Sequence, residues 1–177
     1  FYDRSHIDLI GSAYKVPVDD GVADAVISSQ VLEHLSDPRA ALNEAARILK
    51  DGGLLFLSFP FLYPVHAPPH DYFRYTEFAA DTMLKENGFE IVEKHRIGGF
   101  WYCAGLFSGM YLKAFDRGIV RKLYLAKALT LLMKWLCFIM HCLEGCVLRC
   151  VNKDDAALRQ IWAANYVVLA RKRARGS

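Results

Sequence analysis

Polar and ionisable side chains gather in two stretches of this 177-residue chain, SSQVLEH at residues 28 to 34 and HAPPHDYFR at residues 66 to 74. Ser29 and Gln30 offer neutral hydrogen bonds to a ligand. His34, His66 and His70 belong to the side-chain type that exchanges a proton near neutral pH. Asp71 and Arg74 suit a mutual ion pair that fixes the loop, or contact with a polar substrate. Gly11, Ser12 and Ala13 form a third stretch, small enough to let a flat ring approach the backbone, while Phe61, Tyr63, Tyr72 and Phe73 supply aromatic walls. These types fit an elongated ligand, part polar and part apolar, with proton-accepting groups beside it.

A metal is not expected from these residues. His66 and His70 are four apart, which would align them on a helix, but Pro68 and Pro69 between them forbid one. Glu33 and His34 could meet the loop histidines only through the fold. Cys142, Cys146 and Cys150 share a helical face at spacings of four and read as small buried thiols.

Positioning such residues requires elements that converge, and the pattern supplies them. HIDLIGSA at 6 to 13 reads as a short strand, and VPVDDGVAD as a turn into a second strand, DAVISS. Ser36 or Asp37 caps a helix in which Leu42, Ala45, Ala46 and Leu49 form an apolar stripe, and Gly52 with Gly53 is expected to stop it. GLLFLSFPF at 53 to 61 is a third strand, apolar on both faces. The Pro-rich loop at 62 to 76 leads through Thr76 into a helix that Gly88 closes. FEIVEKHRI at 89 to 97 and ANYVVLARK at 164 to 172 are the fourth and fifth strands. Alternating strands and helices make an α/β protein with a parallel sheet, and the carboxyl ends of its strands, where Ala13, Ser29, Gln30 and Phe61 fall, are the place for a ligand.

Size and composition agree with one domain, residues 1 to 177: 54% of residues are hydrophobic and the formal charge is only +3. The basic tail ARKRARGS reads as a solvated end, and nucleic acid is not implied. Five cysteines without a CxxC pair suit reduced thiols in the cytoplasm. Residues 98 to 163 form a hydrophobic helical insertion before the last strand. Its uncharged run from Trp135 to Leu143 falls short of the ~20 residues of a membrane span, so packing within protein is expected, with peripheral membrane attachment or self-association through 123 to 151 as the other use.

The series LIGSAYKVPVDDGVADAVISSQVLEHLSDPRAALNEAARILKDGGLLFLSFPF resembles the middle of a class I S-adenosylmethionine-dependent methyltransferase, of the methyltransferase type 11-like group. Asp24, the LEH at 32 to 34, Glu44, Arg47, Leu49, Lys50, Gly52 and Gly53 carry the likeness in order and spacing. HAPPHDYFRYT is similar to a segment in a subset of these enzymes, some linked to cell-surface glycan or lipid pathways. The family's glycine-rich loop and its ribose-binding acidic residue have no counterpart here, and Ser12 stands where many members have Asp. Counted against the family's seven strands, this chain, which starts at Phe1, supplies the last five, so the N-terminal strands are expected to be missing.

The resemblance implies a Rossmann-like methyltransferase sheet with helices on both faces and an antiparallel last strand. It implies S-adenosylmethionine as cofactor, held by Gly11, Ser12, Ala13, Ser29 and Gln30. It further implies methyl transfer to a small-molecule, sugar or lipid-linked acceptor contacted by Tyr63, His66, Asp71 and Arg74. Alignment of donor and acceptor should carry much of such a reaction. His34 and His70 are the candidate bases for an acceptor that enters protonated. A nicotinamide-dependent dehydrogenase shares the sheet type, but its GxGxxG fingerprint is not in the chain. The alternative of another class is a non-catalytic or incomplete domain that binds a protein or a membrane surface through residues 98 to 163.

Overall fold

The structure, a computed structural model, describes residues 8 to 114, 124 to 151 and 163 to 174. The chain divides into two compact units. One comprises Phe1–Phe61, Val65–His95 and Tyr166–Ser177, and the other Leu62–Pro64 with Arg96–Asn165.

Four strands form one sheet: β1 (Ala23–Ser29), β2 (Leu49–Pro60), β3 (Phe89–Ile97) and β4 (Asn165–Lys172), in the order β1-β2-β4-β3. β1 and β2 are parallel. Bonds from the Ala164 amide to the Ile97 carbonyl and from the Arg173 amide to the Gly88 carbonyl tie opposite ends together, so β4 runs antiparallel to β3 as expected. The sheet is thus mixed and open. Leu55, Leu57 and Phe59 on β2, with Phe89, Tyr166 and Val168, are buried and make the core of the first unit.

Between β1 and β2 lies α1 (Pro38–Ile48), capped by Asp37, whose carboxylate accepts from the Ala40 amide at 3.0 Å, with Pro38 in the first turn. The cap is the expected one, but the stop is not. The helix ends at Leu49, which already has extended backbone, and β2 begins there. Gly52 and Gly53 belong to the strand instead. The β1–β2 register jumps from Ala23↔Leu49 to Ala25↔Leu54, Gly52 takes φ +79° within that jump, and a Cβ on Gly53 would sit 2.9 Å from the Lys50 carbonyl oxygen. The glycines make a strand irregularity.

The first expected strand also differs. Residues 6 and 7 lie outside the described chain, and 8 to 11 form no ladder. Ser12 and Lys15 close a turn through reciprocal backbone bonds of 3.3 and 3.0 Å. A strand exists only by pairing; Leu9 and Ile10 are exposed, and β1, with Ile27 76% exposed, ends the order at its other side. α2 (Glu77–Glu86) is capped by Thr76, as the sequence indicates.

The second unit holds α3 (Phe100–Ala114) and α4 (Leu125–Val151), which pack on each other. Gly105 and Gly109 let them close: a Cβ on Gly105 would meet the Cys137 Cβ at 3.1 Å, and one on Gly109 the Thr130 methyl at 3.4 Å. The described residues of α4 divide sharply in burial within this chain. Ala126 and Cys137 are buried, whereas Leu129, Leu131, Leu132, Trp135, Phe138, Ile139, Met140 and Leu143 are exposed. An apolar surface that continues around the helix cannot all face one partner helix. Leu125–Leu143, with mean hydropathy 1.4 and 11% of its residues buried, is long and apolar enough to cross a membrane by length and composition. Cys142 and Cys146 are likewise exposed, against the expectation of buried thiols. The Cys150 side chain lies outside the described residues.

Candidate functional site

The site grows from the carboxyl end of β1. Gln30, the residue after the strand, takes φ +53°, a left-handed turn that ends the extended run. Its amide donates to the Ser58 carbonyl at 2.9 Å, its side-chain Nε2 donates to Ser58 Oγ at 3.1 Å, and Ser29 Oγ lies 2.8 Å from the same hydroxyl. Ser58, buried on β2, is therefore the hub that orients both expected ligand-binding residues. Nothing in the apolar run LLFLSFPF distinguishes it in sequence except that it is the run's single hydroxyl.

The segment that follows Gly11, Ser12 and Ala13 is held on α1 by a clamp. Glu44, nearly buried, accepts from the Val16 amide at 2.6 Å and from Arg47 Nε and Nη2 at 2.9 and 2.7 Å. Arg47 also donates to the carbonyls of Val16 and Val18 and to Asp20, and its own carbonyl accepts from the Gly21 amide. Arg47 beside it pulls the Glu44 carboxyl below its usual range, against burial, with the Val16 amide adding to the pull. The arginine is in turn pushed up by Glu44 first and Asp20 second.

Ala13 lines a cavity of about 210 Å³ with Ile27, Ser28, Val31 and Leu35 among its walls. The Ser12 hydroxyl accepts from the Tyr14 amide at 3.2 Å. The reason for glycine at position 11 is different, since a Cβ there would meet the ring of Pro17 at 2.6 Å.

The second part of the site is the loop after β2, anchored on the short 3-10 turn Leu32–His34. The Glu33 carbonyl accepts from the amides of Tyr72 at 2.8 Å and Phe73 at 3.3 Å. His34 Nδ1 lies 2.5 Å from the His70 carbonyl oxygen. A carbonyl can only accept, so Nδ1 carries a proton. Asp71 and Arg74 form a two-point ion pair at 2.7 and 2.8 Å, and the other job of Asp71 is to accept from the His66 amide at 2.8 Å. Arg74 holds the Asp71 carboxyl far below the carboxylate range, helped by that amide.

His66 lies with Nδ1 3.3 Å from Arg74 Nη2, and its ring meets His34 edge-on at 4.8 Å. His70 is exposed, with Nδ1 3.2 Å from the Tyr72 hydroxyl. The structure thus brings His34, His66, His70, Asp71 and Arg74 together; Tyr63 belongs to the other compact unit. The buried Tyr75 hydroxyl donates to the Leu32 carbonyl at 3.2 Å, and its pKa is pushed up by burial and by Glu33. It stays a phenol.

Residues 3 to 57 match the family model of a methyltransferase domain. A probable S-adenosylmethionine-dependent methyltransferase of Mycobacterium tuberculosis is 32% identical over 132 residues, covering 65% of this chain and 45% of that protein. A ubiquinone/menaquinone biosynthesis C-methyltransferase of Caulobacter vibrioides is 42% identical over 59 residues, 33% of this chain and 23% of its own length. The chain therefore spans less than half of these relatives. Among solved structures, a putative methyltransferase of Bacillus halodurans superposes with a TM-score of 0.52 at 17% identity, covering 93% of this chain and 70% of that one. Identity at that level speaks for the fold.

Proposed function

We propose that this chain, which belongs to the class I S-adenosylmethionine-dependent methyltransferase family, supplies the strand-end platform and acceptor loop of an enzyme that methylates a lipid-linked acceptor. The observation that carries the reading is the Ser29–Ser58–Gln30 cluster at the end of β1, flanked in sequence by Ser28 and Val31, which line a cavity with Ala13 and Ile27. Those residues suit a flat ring against an apolar wall with hydrogen-bonding groups at its rim, which is the character of the adenine end of the cofactor. At about 210 Å³ the cavity is smaller than the ~300 Å³ and above of a whole ligand site, so it suits one end of the molecule. When bound, the cofactor supplies an electrophilic methyl group on a sulfonium. Gln30 and Ser29 orient, with Ser58 holding both. The Glu44–Arg47 clamp holds Val16, three residues after Ala13.

On the acceptor side, His70 has an exposed ring suited to take a proton from a hydroxyl acceptor, with the Tyr72 hydroxyl steadying its Nδ1. His34 has a positioning role, since its Nδ1 proton is committed to the His70 carbonyl. Asp71 fixes the amide of His66, and Arg74 presents the charge that suits an acidic or phosphate-bearing substituent beyond its pair.

Exposure of Leu131, Leu132, Trp135, Phe138 and Ile139 on α4, with Lys127 and Lys134 among them, favours a membrane surface as the partner of the second unit. A cavity of about 310 Å³ lined by Trp101, Tyr102, Leu106, Lys134, Phe138 and His141 suits an apolar chain with a polar head.

The test is calorimetric titration of the 177-residue chain with S-adenosylhomocysteine, alongside flotation with anionic vesicles. Binding that weakens at least tenfold in the Ser29→Ala, Gln30→Ala double variant supports the reading. Vesicle flotation without any binding of the product cofactor, by a chain that melts cooperatively, favours the non-catalytic membrane-binding alternative instead.

A further inference from the structure

Glu33 is the largest electrostatic anomaly in the described structure. Its side chain is fully buried, and neither carboxylate oxygen takes part in a hydrogen bond. A buried carboxylate needs a partner of opposite charge or a proton. Arg74, the nearest guanidinium to act on it through space, is bonded to Asp71.

What does converge on Glu33 is a pair of imidazoles. His34 Nε2 lies 3.8 Å from Glu33 Oε1, and one ligand atom each from Glu33, His34 and His66 fall within 4.8 Å of one another. The His34–His70 hydrogen bond engages Nδ1 and leaves Nε2 as the nitrogen turned to Glu33, which is how a metal-binding histidine is oriented by its other nitrogen. His66 Nδ1 faces Arg74 Nη2 at 3.3 Å and Asp71 Oδ2 at 3.6 Å, so the Asp71–Arg74 pair fixes the place of the second imidazole.

We propose that Glu33, His34 and His66 form a binding site for a divalent transition-metal ion, zinc being the one that two imidazole nitrogens and one carboxylate oxygen suit. That donor set is borderline in softness and leaves a coordination position open. Ligands at ~2.0 Å from a tetrahedral zinc are about 3.3 Å apart, so the three donors close by roughly 1 Å, a movement within the reach of side-chain rotation. The site rests on the orphaned carboxylate and its two neighbours, independently of methyl transfer. It runs against the expectation of no metal drawn from the sequence, where the prolines between His66 and His70 hide the pairing that the fold makes with residue 33.

The experiment uses the full chain, stripped with a chelator, dialysed against zinc and analysed for metal content, with cobalt as the spectroscopic probe. One zinc per chain is expected, with affinity reduced at least tenfold in Glu33→Gln and in His66→Ala. The cobalt form should show visible d–d bands without a thiolate charge-transfer band. Zinc should raise the melting temperature of the wild type and not of Glu33→Gln. The proposal is overturned if no zinc is retained, if both variants retain it unchanged, or if cobalt reports thiolate ligation, which would place the metal at Cys142 and Cys146. His66→Ala, on an outer loop, provides a folded variant should Glu33→Gln not fold.

Discussion

Replacing Glu44 by Gln should cost this protein more than any exposed charge substitution, and by an amount that can be worked from the contacts. Glu44 receives three hydrogen bonds, from the Val16 amide at 2.6 Å and from Arg47 at 2.9 and 2.7 Å. A glutamine in the same place has one oxygen to accept with, and its amide nitrogen meets either the Val16 N–H or the guanidinium donor to donor. Two charge-assisted bonds at about 1.5 kcal/mol each are then lost, about 3 kcal/mol in all, reduced to about 2 because the partly exposed Arg47 recovers water. For a domain of this size the melting temperature should fall by about 4–8 °C. Glu86→Gln, which breaks the exposed Arg39–Glu86 pair, is the control and should cost under about 0.5 kcal/mol. The pH dependence has a definite sign. The folded Glu44 carboxyl lies below its unfolded value of about 4.3, so its contribution is fully present above that pH and is lost as the pH falls through the folded value. The gap between wild type and Glu44→Gln, measured by urea unfolding, should therefore be widest near neutrality and narrow in acid. Equal stability of the two proteins at pH 7, or a gap that grows on acidification, would refute the clamp as the device that holds Val16 and Val18 on α1.

Two further substitutions test local geometry. Asp37→Ala removes the side-chain acceptor of the Ala40 amide and should lower stability by about 1 kcal/mol in urea unfolding, whereas Asp37→Asn should cost only a few tenths. Gly53→Ala introduces a Cβ 2.9 Å from the Lys50 carbonyl oxygen and 3.2 Å from that of Asp24, and should cost about 1–3 kcal/mol by the same measurement, while Gly52, with nothing within 4 Å of its Cβ, reports only the strain of its positive φ.

Elements whose cause is local were legible in the sequence. The cap at Asp37, the cap at Thr76, the apolar run of β2 and the alternation in β4 all sit where residue type and spacing put them. What was not legible depends on partners distant in the chain. HIDLIGSA has the composition of a strand, yet strand formation requires a neighbouring ladder, and residues 8 to 11 have none among the described residues. Gly52 and Gly53 look like a helix stop because they follow Lys50, while their use is set by the carbonyl of Asp24 on the strand alongside. The apolar residues of α4 read as core because hydropathy cannot say what covers them; Cys137 meets the close approach at Gly105 and Thr130 the one at Gly109.

The candidate site divides along the same line. Ser29 and Gln30 could be found, because polar residues at the end of an apolar strand are conspicuous. Ser58 could not, since its importance arises from β1 and β2 being parallel and in register, Ser29 against Ser58. Glu44 and Arg47, three apart on one helix, look like an ordinary surface pair; the structure turns the same pair into a clamp by folding Val16 and Val18 onto it from 28 and 29 residues away. Glu33 follows the same logic most strongly. In the sequence Glu33 and His34 can meet the loop histidines only through the fold, and the meeting is made by a loop that begins about thirty residues later and lays His66 beside them. A buried carboxylate that accepts no hydrogen bond is therefore where the chain's remaining chemistry should be sought, and the zinc titration of wild type against Glu33→Gln asks whether that carboxylate is kept for a ligand or merely endured by the fold.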